Sequence, residues 1–201
     1  MVEPPSLTLQ TSLFGPSEPG VDRSFATLVR HPLYERSWVD HAPGWLHGAD
    51  GLFAFLVETA PWAQRERRLY DKTRPEPRLT AFYGDDLPAP LREICDALSA
   101  RYGVEFDSVL LNLYRDGRDS VAWHGDRIAR TVHDPNVATI TLGHRRSFLL
   151  RPKGGGRSTR FDPGPGDLIV MGGASQTEWE HTVPKVASAG PRISITVRHS
   201  H

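Results

Sequence analysis

His124-Gly125-Asp126 sets an imidazole and a carboxylate two residues apart. On a β-strand, residues i and i+2 project to the same side, so the two groups converge without special backbone geometry. A second histidine from a distant strand would complete a facial set of two histidines and one carboxylate, which holds a non-haem iron(II) and leaves its opposite face open. His181 is the leading candidate, because it sits in its own strand-like stretch, TEWEHTV. Taken alone, the pair is more simply a surface histidine beside a solvated aspartate.

Two further patterns bear on it. Arg192-Ile-Ser-Ile-Thr-Val-Arg198 alternates strictly, with Ile193, Ile195 and Val197 on one side and Arg192, Ser194, Thr196 and Arg198 on the other. A polar row ending in two guanidiniums is costly on an inward face unless an anion pairs with it, and arginine suits a bidentate carboxylate. The simpler alternative is the solvent-facing row of a half-buried strand. Asn112 and Tyr114 form another i, i+2 polar pair on an apolar strand, which an amide and a phenol satisfied by backbone would equally explain.

The elements that must position these groups fall into two textures. Leu52, Phe53, Leu56 and Val57 recur at helical spacing after Asp50, and Leu91, Ile94, Leu98 and Tyr102 share a face of a helix over 89–102 that Gly103 stops. Cys95, beside that stripe, reads as a small buried apolar residue. Beyond Gly103 come short strands at 108–114, 121–124, 137–142, 147–151, 158–161, 167–171, 178–183 and 192–198, separated by turns such as Gly154-Gly-Gly156 and Pro163-Gly-Pro-Gly166. The expected order is helices first, then an all-β sandwich, barrel or jelly roll. Residues 1–23, rich in Pro, Ser and Gly, read as a loosely ordered arm, and 24–201 as a single domain.

Composition narrows the class. With 24 Lys plus Arg against 24 Asp plus Glu in 201 residues, whole-chain charge says nothing about a polyanionic partner. The single cysteine rules out an internal disulfide and fits a reducing compartment. No basic-then-apolar leader opens the chain and no apolar run nears the ~18 residues of a membrane span. A soluble, cytoplasmic, monomeric protein without a membrane partner is expected.

The stretch 108–198 resembles the catalytic core of the AlkB family of iron(II)/2-oxoglutarate-dependent dioxygenases. The matching segments are NLYRDGRDSVAWHGD at 112–126, ATITLGHRRSFLLR at 138–151, GDLIVMGGASQTEWEHTVPK at 166–185 and PRISITVR at 191–198. APWAQRERRLYDKTRPEPRLTAFYGD at 60–85 resembles the family's substrate-side region, here taken as 60–86. The resemblance implies a double-stranded β-helix (a jelly roll, α+β with a predominantly β core and N-terminal helices packed on it). It implies iron(II) on His124, Asp126 and His181, and 2-oxoglutarate with its distal carboxylate on Arg192 and Tyr114. Asn112 and Arg198 fall where the family contacts the cosubstrate. The activity implied is oxidative demethylation of N-alkylated bases in DNA or RNA with O2, releasing formaldehyde, succinate and CO2. The alternatives are the same chemistry on a tRNA nucleoside or protein side chain, or a non-catalytic nucleic-acid-binding module, against which the complete Arg192, Arg198, Asn112 and Tyr114 set argues.

A nucleic-acid partner is also suggested by two basic stretches. Arg65, Arg67, Arg68, Lys72, Arg74 and Arg78 flank Trp62 and Tyr70, while Arg145, Arg146, Arg151, Lys153, Arg157 and Arg160 occupy a hairpin free of acidic residues. Basic grooves beside stacking aromatics bind single strands or flipped bases. Arg151 and Arg157 are the expected phosphate contacts, and Phe82, Tyr83 and Trp123 the expected walls of a base pocket. Phe82 and Trp179 are equally explained as core aromatics. The chain departs from the family just past the metal motif, where acidic residues that touch the base in many repair members are replaced by Arg127 and Ile128. A short aromatic lid after YGD is also missing, since Asp85-Asp86 runs straight into Leu87-Pro88.

Overall fold

An unbroken apolar-and-threonine run in Val137–Gly143 marks a strand covered on both faces; Arg192–Arg198, although it alternates, is also buried, and the two lie side by side at the centre of the larger sheet. The computed structural model describes residues 17–69, 72–84, 86–126 and 132–199. Its strands before the first helix are β1 (Gly20–Val21), β2 (Val29–Tyr34), β3 (Ser37–Ala42) and β4 (Leu46–His47). Helix α1 (Ala49–Thr59) is followed by β5 (Glu66–Leu69), β6 (Lys72–Pro75) and β7 (Leu79–Tyr83), then by helix α2 (Ala89–Tyr102). The remaining strands are β8 (Ser108–Tyr114), β9 (Val121–His124), β10 (Val137–Gly143), β11 (Phe148–Pro152), β12 (Thr159–Phe161) and β13 (Leu168–Gly173). A short helix α3 (Ser175–Glu178) leads to β14 (Trp179–Val183) and β15 (Arg192–Arg198).

A seven-stranded antiparallel sheet, ordered β2-β3-β13-β10-β15-β8-β7, faces a four-stranded sheet ordered β12-β11-β14-β9. From β8 onward the chain alternates between the two sheets, except for the β11–β12 hairpin. That is the winding of a double-stranded β-helix, as expected. The alternation of β15 separates two interiors. Ile193, Ile195 and Val197 join Leu52, Phe53 and Leu56 of α1 and Leu91, Ile94 and Leu98 of α2 in one core outside the large sheet. Between the sheets lies a second core that includes Tyr114, Phe148, Leu150, Met171, Trp179 and Val183. Arg192, Ser194 and Thr196 are buried, so the polar row of β15 points inward and is not a solvent face.

Two expectations need correction. The order is not helices before strands, because the β2–β3 hairpin precedes α1 and extends the large sheet. Its sequence hides it: Pro32 interrupts β2, which the fold tolerates because β2 is an edge strand. The expected arm over 1–23 is structured at its end, where Gly20–Val21 pairs with Leu46–His47; residues 1–16 lie outside those described. Gly103 does end α2, at φ +68°, where a side chain would be strained, with its N–H on the Ser99 carbonyl. No helix among the described residues is long and apolar enough to cross a membrane.

Candidate active site

Register builds the site. Tyr114 lies opposite Arg192, Asn112 opposite Ser194 and Leu110 opposite Thr196, which in turn faces Thr139. On the smaller sheet Leu150, His181 and His124 are in register on one face. These two faces, with Val121, Phe148, Val183, Asp126, Arg198 and Arg78, enclose a cleft of about 470 Å³ counted to its open mouth.

His124, Asp126 and His181 meet on one wall of it. The two imidazole rings are 4.3 Å apart at their centroids, and His181 Nε2 stands 3.7 Å from Asp126 Oδ2. His124 Nδ1 is 2.8 Å from the Ala122 carbonyl oxygen. A carbonyl only accepts, so Nδ1 carries the proton and Nε2 keeps its lone pair. Asp126 follows the end of β9, and its backbone N–H donates to Gln176 Oε1 at 3.0 Å. Its Oδ1 accepts from Arg198 Nε at 3.0 Å and from Nη2 as well. Among the described residues no three His, Cys, Asp or Glu side chains are already closed around an ion-sized space. Burial pushes the Asp126 carboxyl up, but Arg198, with His181 and His124, outweighs it and holds the group below the usual carboxylate range. Burial pulls His181 down to about 4, against the opposing pull of Asp126. Two imidazoles and a carboxylate are donors that suit a divalent non-haem iron.

The opposite end suits an anion. Arg192 is fully buried; its Nη2 donates to Thr141 Oγ1 at 3.1 Å, and its Nε and Nη1 have no hydrogen-bond partner among the described residues. The guanidinium carbon sits 5.2 Å from the centre of the Tyr114 ring. Burial lowers the pKa of Arg192; Tyr114 opposes this in part, and no carboxylate among the described residues does. Unpaired N–H groups on a buried cation fit the distal carboxylate of a dicarboxylic acid. Arg198, which the family resemblance assigned to the cosubstrate, is here bonded to Asp126. Asn112 lines the cleft with Oδ1 accepting from Arg78 Nε at 2.9 Å. Arg78 also pairs with Glu76 at 3.1 Å and lines the cleft, a place that its membership of the basic stretch 65–78 does not reveal.

The substrate-side expectations divide. Phe82 is 54% exposed and lies opposite Leu110 on the cleft-side row of β7, so it is no core aromatic. Tyr83, next along the strand, packs on the helix-side core and does not wall the cleft. Trp123 points from the outer face of the smaller sheet, since its neighbour His124 faces inward. Arg151 lies 4.0 Å over the Trp123 ring and pairs with Glu180 at 2.6 Å. Other members of the basic hairpin are also engaged internally. Arg146 is buried and donates to the carbonyls of Asp116, Asp119 and Pro184; Arg160 pairs with Asp162, and Lys153 donates to backbone carbonyls of α3. Arg157 is exposed and has no ion pair among the described residues. Trp179 is core. Arg127 and Ile128 lie outside the described residues, as do Tyr70 and the side chains of Arg67, Arg68, Lys72 and Arg74.

Comparison with known proteins bears on the family of the chain. The model of the 2OG-Fe(II) oxygenase superfamily matches residues 54–198. The chain is similar to the human alpha-ketoglutarate-dependent dioxygenase alkB homolog 3, with 34% identity over 75% of this chain and 61% of that protein. It is also similar to the DNA oxidative demethylase ALKBH2 of Arabidopsis thaliana, with 31% identity over 73% of this chain and 60% of the relative. The chain thus spans about three-fifths of the length of these curated relatives. Among solved structures, OsALKBH1 shares the fold at a TM-score of 0.60 and 13% identity, covering 85% of this chain and 100% of that one. An oxidoreductase of the 2OG-Fe(II) oxygenase family from Burkholderia pseudomallei superposes with a TM-score of 0.54 at 16% identity, over 77% of this chain and 80% of that one. The matched span carries every residue of the cleft described above, and the chain belongs to the 2OG-Fe(II) oxygenase superfamily.

Proposed function

We propose that the protein oxidatively demethylates N-alkylated bases in DNA or RNA, with iron(II) held by His124, Asp126 and His181. Arg192 and Tyr114 hold the distal carboxylate of 2-oxoglutarate in this reading. Membership of the superfamily brings a requirement for Fe(II), 2-oxoglutarate and O2. Together these supply the oxidising power to hydroxylate an N-linked methyl, which leaves as formaldehyde, with succinate and CO2 as co-products.

One observation carries the reading: a fully buried guanidinium with two nitrogens unpartnered among the described residues faces the same cleft as two histidines and an aspartate. A structural metal site needs no such cation. The chain's own contributions follow from position. His124, locked by the Ala122 carbonyl, presents Nε2; Arg198 occupies Asp126 Oδ1 and leaves Oδ2 on the His181 side. Phe148, Val121 and Val183 line the cleft, and in this reading their apolar side chains limit water at the reacting centre. Phe82, exposed on the cleft-side row, is placed to stack on an extruded base. The names of the curated relatives, a DNA oxidative demethylase among them, support the choice of substrate.

The test is turnover with Fe(II), 2-oxoglutarate and oligonucleotides carrying 1-methyladenine, 3-methylcytosine or etheno bases, with succinate and released aldehyde followed together. Aldehyde release matched to succinate is expected. Succinate without aldehyde from any alkylated strand would sink the substrate assignment and leave the oxygenase chemistry standing. No succinate at all would sink both.

A further inference from the structure

Asp126 is the one proposed ligand outside a regular element: β9 ends at His124 and the carboxylate lies two residues on. Something other than the ladder must fix it. The Asp126 N–H donates to the side-chain Oε1 of Gln176, which is 1% exposed and belongs to α3, five residues before His181. Gln176 is itself fastened. Its Nε2 donates to Met171 Sδ at 3.5 Å, and its carbonyl, with that of Thr177, accepts from Lys153 Nζ at 3.1 and 2.5 Å. A Cβ at position 125 would come within 2.8 Å of the Gln176 carbonyl oxygen, so glycine between the two ligands is what lets α3 approach.

We infer that Gln176 is a positioning residue for the metal centre, tying the Asp126 carboxylate to the segment that carries His181. The inference rests on the proposed iron ligands. A lone hydrogen bond between helix and loop could serve folding alone, but this one joins the two chain segments that supply the ligands, and it is buried. Outer partners of metal ligands change affinity by about 10–100-fold when removed.

The experiment titrates metal-free protein with Mn(II), reading free ion by its EPR signal, in wild type, Gln176→Met, Gln176→Glu and Asp126→Ala; thermal unfolding of the metal-free forms runs in parallel. Gln176→Met keeps length and bulk but removes the oxygen acceptor, and is expected to weaken Mn(II) binding by about tenfold or more. Gln176→Glu keeps an acceptor at the same reach and is expected to stay within about threefold of wild type. Equal loss in both variants would show that packing, not the acceptor, matters, and would overturn the inference. Wild-type affinity in Gln176→Met, with binding lost in Asp126→Ala, would overturn the inference while leaving the iron ligands intact. Wild-type affinity in Asp126→Ala would overturn both.

Discussion

Arg198 and Asp126 share one wall of the cleft, the guanidinium donating to Oδ1 while Oδ2 stands 3.7 Å from His181 Nε2. A family pattern alone would send Arg198 to the cosubstrate; in this chain it first serves the carboxylate. The arrangement divides the two oxygens between a cation and the imidazole side. Arg198→Ala leaves a buried carboxylate without its main compensating charge, and breaking such a pair costs about 3 kcal/mol or more. Lower stability and weaker Mn(II) binding in the metal-free protein are expected together. Calorimetry and metal titration of one preparation check this; unchanged metal affinity would show that Arg198 does not orient Asp126.

Arg192 makes the opposite case. Among the described residues its buried cation faces no anion, so Arg192→Met removes a desolvated charge whose Nε and Nη1 are unsatisfied. Apolar replacements of buried charge are commonly neutral or stabilising. The metal-free variant is expected to melt no lower than wild type while the 2-oxoglutarate requirement rises about 100-fold, as for loss of a charge-assisted pair worth roughly 3 kcal/mol. Mn(II) affinity stays the same. A lower melting point with unchanged cosubstrate affinity would assign Arg192 to folding.

How much of this is legible in the sequence depends on local signal. Strands from 108 onward announce themselves because turns punctuate them and β15 alternates cleanly, and α2 is legible to its last residue because Gly103 stops it. The β2–β3 hairpin is not, because Pro32 breaks the pattern and its meaning depends on which strand becomes the edge. The candidate ligands are legible from H-x-D and the Arg strand only together with the family resemblance. What no local pattern carries is which partner a side chain finds: Arg78 on Asn112, Arg151 on Glu180, Gln176 on Asp126. Trp123 and Tyr83 fail as pocket walls for one reason, since an adjacent residue on a strand takes the opposite face.

Partner choice also revises the proposed nucleic-acid surface. Arg157 is exposed, whereas Arg151 is held by Glu180 and stacked on Trp123. Arg157→Ala is expected to reduce the slope of log affinity against log salt for a single-stranded oligonucleotide by about 0.7. Arg151→Ala is expected to leave the slope unchanged. Fluorescence anisotropy across a salt series decides it, and an equal fall in both would make Arg151 a phosphate contact despite its ion pair.

Phe82 and Tyr83 offer a same-strand contrast. Stacking of a base on an aromatic is worth about 1–3 kcal/mol, so Phe82→Ala is expected to weaken binding of an alkylated oligonucleotide by roughly 5–150-fold with little change in melting temperature. Tyr83→Ala removes contacts on the helix-side core and is expected to lower the melting temperature instead. If Phe82→Ala destabilises the fold and spares binding, its assignment to the base is wrong.

Cys95 is buried on α2 and is the only cysteine in the chain. Burial, with smaller contributions from Asp96 and Asp107, pushes its thiol up to about 12. The native protein therefore presents a neutral, enclosed thiol at pH 8, and an alkylating reagent is expected to label it only when denaturant is added. Linkage gives a second consequence. The unfolded chain loses this proton near its ordinary value of about 8.5, but the folded chain keeps it until about 12, so between those values the unfolded state binds fewer protons. Folding stability from this group is complete below about pH 8.5 and falls as pH rises towards 12. Cys95→Ala removes that term, so the alkaline fall in urea midpoint is expected to be shallower in the variant than in wild type. Parallel midpoint curves above pH 9, or rapid native labelling at pH 8, would show that the thiol is not protected by the α2 packing.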